Sequence, residues 1–532
     1  MSHLWPLDVL SRLPCLSLPV SLAGGLVLAL LLAGVALVSF YRRRFRHWTD
    51  RGISGPEPRL LTGTTALMPH LGWHERDVAW ISQFGKVYGT FAGAIPVLTI
   101  ADQEALKEVL IREFASFADR VLLFSNCVRP SVIGINGPRW REQRTCLTPT
   151  FTSGKLRAMI SLMQVNVDHL IRRLEARLSA APSHEAQVSC CTVFGDLSMG
   201  VIASCAFATD LTSSAAGEKD EENPFALHAK RFFELSPIKL ALFALLPDCL
   251  RHRFELTAYV DSPRFLVQMS QEILRKRRQD VQDGQRDGSG NRKPPNGVVD
   301  VLQLMLEAAK QDEKDPSDTG LTDEEIIANM ILFLIAGYDT TKLLLSWTSF
   351  ELARRPDIQE RLRDEILQVI KSPLDEVDYD AIMSLKYLDA VMHESLRRYP
   401  PVVTIDRIAS QDCEIKSLGI KLKKGETIQI PIYAIHHQAE YHPDPYTFDP
   451  ERFMPGNKEK MLPCTFMPFM VGPRNCIGAR FALLEAKAAL VAILRRYVLS
   501  PSPRQQDPPD LTGVRYMLKT DDILVNYRHL EP

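Results

Sequence analysis

The first strong pattern in the chain is an uncharged stretch from Leu13 to Tyr41, in which Leu, Val and Ala dominate between Leu22 and Val38. A helix of this length crosses the ~30 Å hydrocarbon layer of a membrane. The basic residues that follow it are Arg42, Arg43, Arg44 and Arg46. Because positive flanks stay in the cytosol, we predict a transmembrane anchor followed by a cytosolic domain. A cleaved signal peptide is the alternative, although this apolar run is longer than a usual signal core.

After the anchor, helical spacing of apolar residues dominates the chain. Gly85 to Ile100 is rich in β-branched residues and interrupted by turn residues, which predicts a small sheet. The predicted helices include Leu156–Leu178, Asp323–Arg354 and Asp380–Tyr399. Arg277 to Gly297 is polar, with Gly and Pro and almost no apolar residue, which predicts a disordered loop inserted between two helices. We therefore expect a mainly α fold with a small β-rich lobe.

Composition narrows the function classes. Lys and Arg number 63 against 64 Asp and Glu, so the formal net charge is -1, and a dedicated nucleic-acid binder is excluded. The 10 cysteines include no C-x-x-C pair, which argues against a zinc-thiolate site. No Rossmann G-x-G-x-x-G, P-loop or G-x-S-x-G motif is present. His393-Glu394 opens like a zinc-protease motif, but the second ligand position is Arg397, which cannot bind zinc.

The most informative segment runs from Phe469 to Gly478 and contains Arg474 and Cys476. A helix is predicted to start directly after it, so the free N–H groups of its first turn should stabilise a thiolate and lower the pKa of Cys476. Such a sulfur suits a metal ligand or a nucleophile. The spacing F-x-x-G-x-R-x-C-x-G resembles the haem-thiolate signature of the cytochromes P-450. Met470 departs from it, because that position is usually a small residue.

A second motif lies in a long apolar helix, where Ala336, Gly337, Asp339, Thr340 and Thr341 stand together. A buried helix does not need these residues, since each lowers helix stability. The pattern resembles the oxygen-binding helix of the same family. By this resemblance, Gly337 lets the backbone approach the haem and permits a local widening of the helix. The resemblance also implies that two residues deliver protons to the dioxygen bound at the haem iron. Thr340 does so by hydrogen bonding, and Asp339 does so through water.

Two further sets of residues in the sequence match the family, and each set contains arginines. Glu394 and Arg397 form E-x-x-R on one helix face, and by resemblance Arg452 completes a buried triad with them. Trp140 and Arg144 share a helix face. The resemblance assigns them to a haem propionate. It gives the same role to Arg120 and Arg407, for which a solvated arginine is the alternative.

The resemblance implies a triangular P-450 fold around one haem b, with residues 1–48 as anchor and basic stop and 49–532 as a single catalytic domain in which 277–297 is the loop. It implies insertion of one oxygen atom into a lipophilic substrate. The electrons would come from the membrane-bound NADPH–cytochrome P-450 reductase, with cytochrome b5 as an optional second partner. It also implies a single-pass endoplasmic reticulum protein. Pro149–Leu156 and Pro468–Ala482 look like the family-three and thromboxane-synthase branch.

Two other functions stay open at this point. A thromboxane-synthase-like peroxide isomerase needs no reductase, but such enzymes tend to lack the threonine found here at 340. A haem-binding protein without activity would not need the full set of motifs. The substrate class also stays open among steroids, fatty acids, terpenoids and xenobiotics. Candidate pocket residues by family position are Val121–Phe124, Ile335, Ala336, Val402–Ile405 and Val514–Tyr516. Phe232–Leu250 is predicted to dip into the membrane.

Overall fold

The structure is a computed structural model in which helices form most of the described chain. It describes residues 20–68, 70–121, 127–181, 185–207, 263–283, 300–309, 320–370, 378–511 and 514–530 without 515 and 521, with isolated positions between 225 and 239. The longer helices are α1 (Val20–Phe45), α2 (Trp73–Phe84), α4 (Gly137–Leu147), α5 (Ser153–Ala180), α6 (Cys190–Phe207), α7 (Pro263–Asp283), α9 (Asp323–Ala353), α10 (Pro356–Val369), α12 (Lys386–Arg398) and α14 (Ala479–Leu494). The short helices are α3 (Gln103–Lys107), α8 (Val301–Glu307), α11 (Tyr379–Ser384) and α13 (Ile432–His436).

Helix α9 forms the centre of the core. It begins at a capping box, in which the Thr322 hydroxyl accepts from the Glu325 amide at 3.2 Å and the Glu325 carboxylate accepts from the Thr322 amide at 2.9 Å. Helices α6 and α9 are both long and apolar enough to cross a membrane, but 78% of each candidate span is buried inside the protein. Both are therefore core helices, packed against each other.

The strands form small sheets at the side of the helical core, as the sequence predicts. Their bounds are β1 (Val87–Ala92), β2 (Ile95–Ile100), β3 (Glu185–Ser189), β4 (Ile405–Ile408), β5 (Cys413–Ile415), β6 (Ile420–Leu422), β7 (Thr427–Ile430), β8 (Tyr497–Pro501) and β9 (Leu524–His529). The sheet orders are β1-β2-β7-β4, β3-β9-β8 and β5-β6. Pairing is antiparallel except between β2 and β7, where Val97 lies opposite Thr427. Through β7, this pairing connects β4, which carries Arg407, to strands β1 and β2 near the N-terminal helix.

Helix α1 coincides with most of the predicted anchor, of which residues 13–19 lie outside the described chain. Its apolar side chains face outward: Val27, Leu30, Leu31, Leu32 and Val35 are each more than half exposed. Just after the helix, the chain is fixed to the sheet, because Trp48 is buried and its indole N–H donates to the Thr90 carbonyl at 3.0 Å.

Two sequence predictions of secondary structure were wrong in part. The predicted helix Asp380–Tyr399 is broken at Leu385, because the Glu365 carboxylate accepts from the amides of Tyr387 and Leu388 and so starts α12 there. The start of the predicted loop 277–297 is helical, since α7 extends to Asp283. Arg277 is buried there, 2.7 Å from Asp300, and residues 284–297 lie outside the described chain.

Candidate active site

The loop from Phe469 to Gly478 closes tightly on Cys476. The Cys476 amide donates to the Phe469 carbonyl at 2.8 Å, and the Asn475 amide donates to the Gly472 carbonyl at 3.0 Å. Gly472 has φ +78°, and a Cβ there would lie 2.0 Å from the Leu110 carbonyl oxygen. Only glycine fits this position, so the loop is held against the segment that contains Leu110.

Met470, the departure from the family pattern, adopts a left-handed conformation with φ +60°. This conformation is costly for a residue with a Cβ, which is a physical reason for a small residue at this position. The Met470 amide donates to the Met467 carbonyl at 2.9 Å. Its thioether sulfur lies 3.1 Å from Nη2 of Arg120. The larger side chain is therefore accommodated beside a residue of the candidate site.

The predicted lowering of the Cys476 pKa was wrong for the protein alone. Burial raises the pKa of the thiol above its usual value, and this outweighs the lowering by the Gly478 amide, Arg144 and Arg120. The amide at the start of α14 does act in the predicted direction. It is too weak to offset the loss of solvent around the sulfur. A coordinated metal ion would act on the pKa of this thiol in the lowering direction.

Three arginines from other parts of the chain lie near Arg474 of this loop: Arg120, Arg144 on α4 and Arg407 on β4. Arg407 and Arg474 are buried, at 0% and 4% exposure. Nη2 of Arg120 donates to the Arg474 carbonyl at 3.2 Å, and Nη2 of Arg144 donates to Oδ1 of Asn475 at 2.7 Å. The structure thus brings Arg120, Arg144 and Arg407, which sequence resemblance assigned to a propionate, close to Arg474 of the cysteine loop.

The arginine cluster has more positive charge than its protein partners neutralise. Burial, and then the positive charges of Arg120 and Arg474, lower the pKa of Arg407 well below the usual arginine value, whereas the charge of Asp406 only partly opposes this lowering. Burial together with Arg120 lowers the pKa of Arg474 to about 9. Two carboxylates, Asp119 and Asp406, act against this lowering at Arg474, and Asp406 accepts from the Val121 amide at 2.6 Å. Sequence reasoning missed Asp406, because a carboxylate beside an arginine gives no signal of its environment.

Several guanidinium nitrogens of this cluster are buried and have no hydrogen-bond partner among the described residues. They are Nε of Arg120, Nε and Nη2 of Arg407, and Nε and Nη1 of Arg474. Unpaired buried donors are costly, so a site with several of them is built to bind something else. Donors that also carry positive charge favour an anion such as a carboxylate.

Trp140 packs directly against the arginine cluster, through Arg474. It is 4% exposed, and the guanidinium carbon of Arg474 lies 4.2 Å from the centre of its ring. This cation–π contact holds Arg474 in place. Trp140 and Arg144 therefore both reach the cysteine loop from α4, as their shared helix face predicts.

On helix α9, Ala336, Gly337 and Thr340 are partly exposed, whereas every other residue between 328 and 353 is buried. The helix therefore borders an open space at this point. The Thr340 hydroxyl donates to the Ala336 carbonyl at 2.6 Å. No widening of α9 is present, since it is α-helical from Asp323 to Ala353. A Cβ on Gly337 would lie 3.1 Å from the Ile202 side chain on α6, so the glycine permits close packing of α9 and α6.

Asp339 faces away from the partly exposed residues and is fully buried. Its Oδ1 lies 2.6 Å from the Lys342 ammonium, and its Oδ2 lies 2.5 Å from the Lys519 ammonium. Burial raises the pKa of Asp339, but the two lysines lower it more, so the net pKa is below the usual value. The contact with Lys342 could have been predicted, because Lys342 lies three residues after Asp339 on the same helix. The contact with Lys519 gives no signal in the sequence.

The predicted triad is present beneath the cysteine loop. Glu394 and Arg397 are fully buried, and their two hydrogen bonds measure 2.7 and 2.8 Å. Nε of Arg452 lies 3.6 Å from Glu394. His436 joins the triad to the residue two positions before the loop: its ring contacts the Arg397 carbonyl at 3.2 Å and accepts from the Met467 amide at 3.0 Å.

Of the candidate pocket segments, the described part of the chain shows two lying side by side: the one around Val403 and the one around Tyr516. The Val403 amide donates to the Tyr516 carbonyl at 2.9 Å, and the Leu518 amide donates to the Pro401 carbonyl at 3.0 Å, so two of these segments lie side by side. Ile335 is fully buried. Residues 122–124 and the predicted membrane-dipping segment from Phe232 to Leu250 lie outside the described residues, apart from isolated positions.

Comparison with known proteins agrees with this site. The sequence model of the family described as Cytochrome P450 matches residues 54–527. Cytochrome P450 3A16 of Mus musculus is 33% identical over 493 residues, covering 91% of this chain and 93% of its own. Cytochrome P450 3A5 of Homo sapiens is 33% identical over 487 residues, covering 90% and 92%. These relatives confirm the family-three prediction, and the chain belongs to the cytochrome P450 family of monooxygenases, which carry haem b on an axial cysteine thiolate.

Proposed function

We propose that this protein inserts one oxygen atom of O2 into a lipophilic substrate with electrons from the membrane-bound NADPH–cytochrome P450 reductase. The observation that carries the proposal is the group of buried, unpartnered arginine nitrogens beside Cys476, on the described part of the chain. Those donors would bind the two propionate groups of a haem, which are anions. The donor set therefore fits the cofactor of the family.

In this proposal Cys476 is the axial ligand of the haem iron. Haem b supplies the activation of dioxygen, and a thiolate ligand favours O–O cleavage. Among the described residues, no group of three or more His, Cys, Asp or Glu side chains could hold a metal ion. A single protein ligand is consistent with an iron that brings its remaining ligands in a porphyrin.

The propionates would be bound by Arg120, Trp140, Arg144, Arg407 and Arg474. Phe469 would support the loop, because its carbonyl accepts from the Cys476 amide. Ala336 and Gly337 would border the haem, since both are partly exposed on an otherwise buried helix. Each of these roles takes the residue from the family motif and is supported by its position in the fold.

Proton delivery is assigned to Thr340 and Asp339. The Thr340 hydroxyl donates to the Ala336 carbonyl, and its oxygen can still accept a hydrogen bond on this partly exposed part of the helix. Asp339 stands one residue earlier on the same helix, with its carboxylate on the buried side. It would pass protons from the protein interior toward Thr340 through water.

The proposed cell location is supported by helix α1, and the proposed partners are those implied by the family. Its exposed apolar side chains and the basic residues in its last turn support a membrane span with a cytosolic catalytic domain. We therefore assign residues 1–48 to a single-pass anchor in the endoplasmic reticulum membrane and 49–532 to the catalytic domain. The reductase of that membrane would dock on the Cys476 side, with cytochrome b5 as an optional second donor.

The proposal is tested with purified protein in lipid vesicles with reductase and NADPH. The probes are testosterone, lauric acid, farnesol and a benzyl ether of 7-hydroxycoumarin, under isotopically labelled dioxygen. We expect one labelled oxygen atom in the product of at least one probe. The proposal fails if the protein instead rearranges a lipid peroxide without NADPH, as a thromboxane-synthase-like isomerase does. It also fails if haem is bound but neither reaction occurs.

A further inference from the structure

The buried Asp339 carboxylate, one residue before Thr340, is held by two lysines that differ in their exposure to solvent. Lys342 is on the same helix as Asp339, its side chain is 10% exposed, and its ammonium lies 4.5 Å from the centre of the Tyr338 ring. Lys519 comes from the C-terminal segment, and its side chain is 32% exposed. Lys342 is therefore fixed in the core, whereas Lys519 reaches from the carboxylate to solvent.

The backbone that carries Lys519 is attached to a segment of the candidate pocket. The neighbouring Leu518 amide donates to the Pro401 carbonyl at 3.0 Å, and Tyr516 accepts from the Val403 amide at 2.9 Å. Movement of either segment would therefore displace Lys519 relative to Asp339. The lysine links the Asp339 carboxylate both to solvent and to the segments that border the pocket.

We propose that Lys519 is a positioning residue that controls when Asp339 takes up a proton and passes it on. This inference deepens the proposed function and rests on it. When Lys519 swings toward solvent, Oδ2 of Asp339 becomes accessible to water and the carboxylate takes a proton from it. When the ammonium returns, the carboxyl group releases that proton toward Thr340 and becomes ionised again.

The electrostatics of the cluster support this cycle. Burial raises the pKa of Asp339, and the charges and hydrogen bonds of both lysines lower it, with the charge of Lys519 acting ahead of that of Lys342. Departure of Lys519 therefore raises the proton affinity of the carboxylate, and its return lowers it. The other titratable groups near this cluster are Tyr338 on α9 and Cys191 on α6, which both interact with Lys342.

The first test compares Lys519→Met with Lys519→Arg. We expect the methionine variant to bind haem normally but to convert several-fold less NADPH into product, with peroxide as the excess product and a larger solvent isotope effect. The arginine variant should restore coupling, because it keeps a mobile cation. The probe is the panel member that the wild-type enzyme converts fastest. Lys86→Met is the matched control, since Lys86 is 28% exposed and forms an ion pair with Glu440 at 2.6 Å.

The second test does not need turnover. In a double-mutant cycle with Lys519→Met and Asp339→Asn, the losses of unfolding free energy should not add, because each change removes the same contact. Additive losses would overturn the clamp itself. Unchanged coupling and isotope effect in Lys519→Met would overturn its role in proton delivery. If the wild-type enzyme forms no product, the proposed function fails, while the cycle still measures the clamp.

Discussion

Replacing Glu394 with glutamine removes the carboxylate that neutralises Arg397 in the core. Both side chains are fully buried, and Glu394 accepts two hydrogen bonds from Arg397, at 2.7 and 2.8 Å, and one from the Asp449 amide at 2.9 Å. A glutamine has almost the same shape, but it carries no charge and directs an NH2 donor at a guanidinium donor. The change therefore leaves a buried cation without its counter-ion.

The expected loss of unfolding free energy follows from this geometry. Breaking a buried ion pair by removing one partner costs about 3–5 kcal/mol. Arg397 keeps its bonds to the carbonyls of His436 and Thr447, at 3.0 and 3.3 Å. We therefore expect the lower part of that range, about 3 kcal/mol. Since His436 also bonds the Met467 amide, we expect weaker haem retention as well.

Urea unfolding followed by tryptophan fluorescence measures this loss, and haem release at moderate urea measures the second effect. The matched control is Glu104→Gln. Glu104 pairs with Arg112 at 3.0 Å, but the two side chains are 54% and 50% exposed, so the expected loss is below about 1 kcal/mol. If Glu394→Gln costs no more than Glu104→Gln, the triad does not support the haem loop and the reasoning is refuted.

Three further predictions concern single positions near the core and the loop. Glu485 is buried, and burial raises its pKa from 4.5 to about 8. Because the folded protein binds this proton more tightly than the unfolded chain does, the unfolding free energy of the wild type should fall as the pH rises from 4.5 to about 8. Urea unfolding at several pH values should show this fall in the wild type and not in Glu485→Gln. Gly472→Ala should abolish most haem incorporation, measured by haem content of purified protein, because its Cβ would meet the Leu110 carbonyl; near-normal content would contradict the geometry. Met470→Gly should raise unfolding free energy by about 1 kcal/mol, measured in urea, since glycine accepts a positive φ; a loss would mean that the Arg120 contact outweighs the strain.

The chemistry of the site was predictable from sequence where its residues are close together in the chain. The cysteine loop, Glu394 with Arg397, and Trp140 with Arg144 each appear as short patterns. Their contacts follow from helix spacing or from one tight turn. The predicted sheet of β1 and β2 has the same basis, since both strands pair across a short turn.

The remaining features depend on contacts between distant segments. Lys519 reaches Asp339 across 180 positions of the chain, and no local pattern marks it. Glu365 starts α12 from another helix, so the break at Leu385 was not visible in a continuous helical pattern. The pKa of Cys476 was predicted from the helix terminus alone, but its direction is set by burial, which a sequence does not give.

The central claim is that Cys476 holds a haem whose propionates are bound by the arginine cluster. The most direct measurement is the reduced carbon-monoxide difference spectrum of the purified protein beside that of Cys476→Ala. The account predicts the red-shifted Soret band of a thiolate-ligated haem in the wild type and its loss in the variant. A wild-type protein that binds haem without that band, or a Cys476→Ala variant that keeps it, would contradict the account.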